Sequence, residues 1–137
     1  MSLELKNIEM KVGVETYIHQ TNLKLEKNTI NILLGSTLAG KTTLMQIMAG
    51  LLKPTSGEIW FNEKNVTGLK VQGRNVSMVY QQFINYPNFT VYENIASPLK
   101  IIGVNPSEIK ERVGKVAELL KLSPMLDKKP DELSGGQ

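Results

Sequence analysis

Residues 35–43 read Gly-Ser-Thr-Leu-Ala-Gly-Lys-Thr-Thr, and no other stretch of the chain so narrows what it can become. The spacing fits G-x-x-x-x-G-K-[ST], a loop that wraps a phosphate chain. A phosphate chain is a dense anion, best held by backbone N–H groups pointing into a concave loop at a helix N-terminus. The flanks supply that setting. Ile30–Leu34 is a short apolar run ending at Gly35, which predicts a buried strand feeding the loop. From Lys41 to Leu52 no breaker occurs before Gly50, and Leu44, Ile47, Met48 and Leu51 recur at helical spacing. The predicted order is strand, glycine loop, helix.

Within the loop each residue type has a task. Gly35 and Gly40 permit the turns and the close approach of backbone to ligand. Ser36, Thr37, Leu38 and Ala39 fill variable positions, where the backbone binds and the side chain points away. Lys41 reaches the β- and γ-phosphates as a point charge. Thr42 offers a hydroxyl to Mg²⁺, and Thr43 one to the α-phosphate. A nucleotide with Mg²⁺ is therefore expected, and the loop by itself leaves GTPases, kinases, helicases and transport ATPases open; the choice of ATP rests on the resemblance below.

Along the rest of the chain the first half reads as β-rich and the second as α-rich. Strands are expected at Leu3–Met10, at the end of Tyr17–Leu25, at Glu58–Phe61 and at Val76–Tyr80. Thr90-Val91-Tyr92-Glu93 is a capping box that should open a helix, and Pro98 should bend or end it. Asn105 with Pro106 should start another, with Ile109, Val113, Val116 and Leu120 on one face. Pro124 and Pro130 then interrupt the chain before Leu133-Ser134-Gly135-Gly136-Gln137.

Bulk properties exclude several classes. The chain has 137 residues, 41% of them hydrophobic, enough for one domain with a real core. No apolar run reaches the length of a membrane span. Cysteine is absent, which removes disulfides and thiolate metal sites. The net charge of +3 is mild and its lysines and arginines are scattered, which argues against a nucleic-acid partner.

The segment Leu-Ser-Gly-Gly-Gln at 133–137 is identical to the signature sequence of ATP-binding-cassette (ABC) ATPases, and it follows the phosphate loop at that family's distance. The chain resembles the family over nearly its whole length. The resemblance implies an α/β fold of the P-loop NTPase, ABC type. Residues 1–82 would form a β-rich ATP-binding subdomain with the phosphate loop and Q-loop, and residues 83–137 a helical subdomain ending in the signature. It implies that Ser134, Gly135, Gly136 and Gln137 bind the γ-phosphate held by an opposite copy. Gln81, in the Val76–Phe83 segment VSMVYQQF, matches the Q-loop glutamine, expected beside Mg²⁺ and the attacking water. Segments such as MAGLLKPTSGEIWFN, GRNVSMVYQQ and YPNFTVYENIASPLK resemble the carbohydrate-importer, maltose-importer-type branch. TLAGKTT and QQFINYP resemble the ATPases of glycerol importers.

The implied partners are a second ATPase subunit in a head-to-tail dimer, transmembrane permease subunits and a solute-binding protein. The implied location is the cytoplasmic face of the membrane, and the implied work is ATP-driven uptake of a small polyol or sugar. Departures are visible. Leu38 stands where the family uses glycine. Val12, which cannot stack on adenine, falls where the family places an aromatic, and Tyr17 a few residues on reads as a strand residue. The only histidine, His19, precedes the loop and cannot be the family's switch. Walker B, with its catalytic glutamate, is not in these residues, so they are expected to be part of a longer subunit and inactive alone. Two alternatives stand beside this reading: a soluble ABC ATPase acting on nucleic acid or ribosomes, and a nucleotide-binding module that does not hydrolyse. Tyr80, Phe83, Tyr86, Phe89 and Tyr92, five of eight aromatics, recur every third residue. They form either core or a docking patch, which in the family receives a helix of the membrane subunit.

Overall fold

A computed structural model describes residues 2–74 and 76–137; Met1, and Asn75 within the segment GRNVSMVYQQ, lie outside the described residues. The chain divides into two compact units, Met1–Val79 and Tyr80–Gln137, so Gln81 belongs with the second.

The first unit is a four-stranded antiparallel sheet in the order β2-β1-β3-β4, formed by β1 (Leu3–Val12), β2 (Glu15–Leu25), β3 (Ser56–Phe61) and β4 (Lys64–Asn65). The loose alternation of β1 has a physical cause. Leu5 and Ile8 are both buried although three residues apart, which a regular two-residue period forbids. A register shift between them absorbs the odd residue, as a bulge does. Asn7 sits there in the left-handed region, and its N–H donates to Asn22 Oδ1 at 2.8 Å. Helix α1 (Lys41–Ala49) lays Leu44 and Ile47 on Leu5, Ile8, Ile18, Ile59 and Val66. It stops at Ala49, where Gly50 takes a left-handed cap, so Leu51 lies outside the helix and is exposed.

Two expected strands are not formed. Ile30–Leu34 lies outside any strand, with Ile30 92% and Leu34 85% exposed. Val76–Tyr80 is likewise not a strand, and Val79 is exposed. β-branched composition predisposes a segment to extension, but a strand exists only where a neighbour completes its hydrogen bonds. Among the described residues no segment runs alongside either one in the sheet.

The second unit is built on α2 (Val91–Ile101) and α3 (Pro106–Leu119), which meet through Ala96, Ile109 and Val113. The capping box at Thr90 and Glu93 is formed in both directions. Asn105 caps α3, with Pro106 at its first position. Pro98 neither ends nor breaks α2. Proline has no N–H to give Asn94 O, and Ser97 Oγ donates to that carbonyl instead, at 3.0 Å. The buried stripe of α3 runs through Ile109, Val113 and Ala117, while Val116 and Leu120 are exposed. A strict four-residue step drifts around the helix, about 40° at each step, so the buried stripe slants across the surface of α3 and leaves the mixed-spacing face expected from the sequence in part exposed. Pairs Glu108–Arg112 and Glu111–Lys115 line the solvent side.

Ile47 is completely buried at the centre of the first core. Replacing Ile47 with Ala should therefore destabilise the protein by about 2–5 kcal/mol, measured as a lowered denaturant midpoint by circular dichroism.

Candidate phosphate-binding loop and signature turn

Residues 35–40 form an exposed loop that opens directly onto α1. Lys41 bends back across it, its Nζ donating to Gly35 O at 2.8 Å and Ser36 O at 2.5 Å. Ala39 N donates to Ser36 O at 3.3 Å, and Leu44 N closes the first helical bond on Gly40 O at 2.8 Å. The lysine ammonium thus sits over the mouth of the loop. Leu38 is 99% exposed with φ of 67°, so the residue that departs from the family's glycine occupies a backbone region that glycine enters at least cost.

The N-terminus of α1 differs from those of α2 and α3. Thr90 and Asn105 accept hydrogen bonds from the first turns of their helices, whereas Gly40 has no side chain to do so. The first N–H groups of a helix lack internal partners. In α1 they face the loop with Lys41, Thr42 and Thr43, an arrangement that suits an anion. Gly40 is fixed by more than its φ of 82°: a Cβ there would come within 2.6 Å of Ile18 Cδ1 and 3.0 Å of Tyr17 O. Strand β2 therefore supports the loop from behind. Because Ile18 faces the helix, its strand neighbour Tyr17 points to the other face of the sheet, in keeping with a strand residue. His19 is exposed on the same strand.

The signature residues form a turn. Ser134 N and Oγ both donate to Gln137 Oε1, at 2.9 and 3.0 Å, and Gln137 N donates to Ser134 O at 2.9 Å. Gly135 and Gly136 lie at the turn's exposed tip. A Cβ on Gly135 would lie 3.6 Å from Phe83 Cζ, so the aromatic segment borders the signature within the second unit. Gln81 is exposed in a bend just before it. Phe83, Tyr86 and Phe89 are exposed, and the rings of Tyr86 and Phe89 meet at 5.1 Å, tilted by 39°; Tyr92 instead packs on the helical core.

Asn94 escaped the sequence reading. Its Oδ1 accepts from Tyr86 N at 2.8 Å, and its Nδ2 donates to Tyr86 O, Phe89 O and Thr90 O at 3.0–3.3 Å. One amide thereby holds the aromatic loop against α2. The available signal was an asparagine inside a helix, where its propensity is poor and a local bonding task is the usual reason.

No group of three His, Asp or Glu suited to a metal occurs among the described residues, so Thr42 and Gln81 stand as single oxygen donors in separate units. A cleft of about 500 Å³ on the face of the sheet away from α1 is lined by Glu4, Glu26 and Glu63 against Lys6, Lys24 and Lys27. These charges cancel, so it offers no pull on a phosphate. No helix is long and apolar enough to cross a membrane among the described residues.

The chain is similar to known proteins along most of its length. The profile of the family described as ABC transporter matches residues 18–137. The chain is 38% identical over 133 residues to the Fe(3+) ions import ATP-binding protein of Photobacterium profundum, covering 97% of this chain and 38% of that protein. It is 38% identical over 137 residues to the sulfate/thiosulfate import ATP-binding protein of Mesostigma viride, covering 100% and 39%. It is also 38% identical over 125 residues to the sn-glycerol-3-phosphate import ATP-binding protein of Yersinia pestis, covering 91% and 35%. The chain therefore spans under two-fifths of the length of these relatives. Among solved structures, a dimeric ATP-binding cassette in a post-hydrolysis state bound to ADP and Pi is similar, with a TM-score of 0.85 and 27% identity over 98% of this chain and 64% of that one.

Gly40→Ala should cost at least about 1–2 kcal/mol, from the left-handed backbone and the contact with Ile18, read as a lowered melting temperature.

Proposed function

The chain belongs to the ABC transporter family, and from that premise we propose that it is the nucleotide-binding part of an import ATPase that binds ATP with Mg²⁺ at Gly35–Thr43. The observation that carries this reading is the loop itself: an uncapped helix N-terminus, a lysine ammonium over its mouth and two threonine hydroxyls at its edge. Backbone N–H groups from Ser36 to Gly40 surround the β- and γ-phosphates, and Lys41 leaves the loop carbonyls to pair with them. Thr42 would supply a hydroxyl to Mg²⁺, and Gln81, matched to the family's Q-loop glutamine, would contribute an amide oxygen and orient the attacking water. The ion would supply charge to offset that of the phosphates. The first unit serves as the nucleotide-binding subdomain and the second as the helical signature subdomain.

Hydrolysis takes place in the full-length subunit, between two head-to-tail copies. Ser134, Gly135, Gly136 and Gln137 of each copy face the nucleotide of the other; the exposed glycine tip supports this, because it can offer backbone N–H groups to an anion. The dimeric cassette with ADP and Pi is in keeping with it. The subunit works at the cytoplasmic face of the membrane, held by permease subunits and supplied by a solute-binding protein. The cargo we favour is a small polyol or sugar. The resemblance of QQFINYP and TLAGKTT to glycerol importers favours it, while relatives named for iron and sulfate import mark the alternatives.

Lys41→Ala should weaken ATP binding by the full-length subunit about 10- to 150-fold, the loss of a charge-assisted contact of roughly 1.5–3 kcal/mol. Titration with a fluorescent ATP analogue measures it; equal affinity for both proteins would overturn the assignment.

The exposed aromatics support a docking surface for the permease. Interface cores favour Tyr and Phe, and their rims stay polar; here Asn85 and Asn88 flank Tyr86. Phe83→Ala or Tyr86→Ala should weaken assembly with the permease by about 1–2 kcal/mol or more, while the free subunit still binds ATP. Co-purification of the complex tests this, and wild-type recovery with both variants rules the surface out.

A further inference from the structure

Arg74 is the one buried charged side chain among the described residues, 4% exposed, and nothing in the nucleotide chemistry above uses it. A charge so placed is costly unless it is fully bonded. Its Nη1 donates to Ile47 O and Met48 O at 3.2 and 3.3 Å, its Nε to Leu69 O at 3.1 Å, and its Nη2 to Thr67 O at 3.2 Å. Ile47 and Met48 lie in the last turn of α1, where Ile47 O also accepts from the capping Gly50 N at 3.1 Å and the helix dipole favours a cation. Burial pulls the guanidinium pKa below its ordinary value.

Gly50 makes this contact possible. It caps α1 with φ of 83°, and a Cβ there would fall 2.5 Å from Arg74 Nε and 2.7 Å from Cζ. The far end of the clamp is equally fixed. Thr67 Oγ1 accepts from Ile59 N at 2.8 Å and donates to Asn65 Oδ1 at 2.6 Å, which ties Thr67 to the β3–β4 hairpin. Helix α1 has nine residues, a rod of about 13–14 Å. It is wedged at its front by Ile18 and Tyr17 O against Gly40 and tied at its back by Arg74.

We infer that Arg74 is a positioning residue for the phosphate loop: by locking the C-terminal end of α1 to the β3–β4 hairpin, it sets the tilt and rotation of the helix whose other end carries Lys41 and Thr42. This rests on the reading of Gly35–Thr43 as the nucleotide site. The geometry favours a positioning role over a stabilising one alone, because a single planar group bonds both the helix and the segment that follows the hairpin. A nonpolar side chain of similar length fills the space yet fixes neither. Lysine keeps the charge and loses the fork.

The test compares ATP affinity of the full-length wild type, Arg74→Met, Arg74→Lys and Lys41→Ala, each corrected for its folded fraction by circular dichroism. Arg74→Met should bind ATP about tenfold more weakly, because a loop that is no longer preorganised gives up binding energy in becoming so, and Arg74→Lys should fall between it and wild type. Millimolar guanidinium should restore affinity to Arg74→Ala, and equal sodium chloride should not. Wild-type affinity in folded Arg74→Met overturns the inference. If Arg74→Met does not fold, wild-type affinity in Arg74→Lys overturns it instead. Failure of wild type to bind ATP, or binding unchanged by Lys41→Ala, overturns the nucleotide reading and is distinguishable from both.

Discussion

The packing of α1 on the antiparallel sheet governs the first unit. Leu44 and Ile47 fill the space over Leu5, Ile8, Ile18, Ile59 and Val66, and the burial of these apolar side chains is the main favourable term available to a sheet this small. Burial is not directional, however. It presses the helix onto the sheet without fixing where along the sheet its ends lie. Contacts at the two ends constrain that register: the close steric approach of Gly40 to β2 in front, and the Arg74 guanidinium on the terminal carbonyls behind.

The second unit repeats the division of labour with different groups. Ala96, Ile109 and Val113 allow α2 and α3 to approach closely, and small or branched side chains pack without trapping polar atoms. Asn94 then fixes an otherwise irregular loop through four hydrogen bonds to backbone groups. Exposed aromatics on an untethered loop would collapse into whatever apolar surface they met. Tethered by the Asn94 amide, Tyr86 and Phe89 stay presented at the surface. In both units, then, a polar side chain bonds backbone groups and holds a neighbouring segment in place.

The proposed nucleotide site draws on what these tethers leave unsatisfied. The first turn of α1 has no side-chain cap, and Lys41 lies on carbonyl oxygens that a phosphate chain can replace as its partner. Leu38 holds a left-handed backbone in the loop, a local cost of the kind that a tightly curved loop carries.

The sequence by itself determined the features that depend on neighbouring residues. The phosphate-loop motif, the Thr90–Glu93 capping box, the Asn105–Pro106 helix start and the identity of the signature segment were legible because each is written within a span of at most nine consecutive residues, where backbone geometry links them directly. Only the tertiary structure decided the rest. It alone showed that Ile30–Leu34 and Val76–Tyr80 stay unpaired, because a strand is defined by its neighbour and not by its own composition. The sequence likewise gave no sign that Pro98 would sit quietly within α2, since Ser97 had to supply the missing donor, or that Ala117 and not Val116 would face the core. Arg74 and Asn94 read as ordinary polar residues until the fold carried the carbonyls of α1 and of the aromatic loop to them, because hydrogen bonds between distant segments have no period in a sequence.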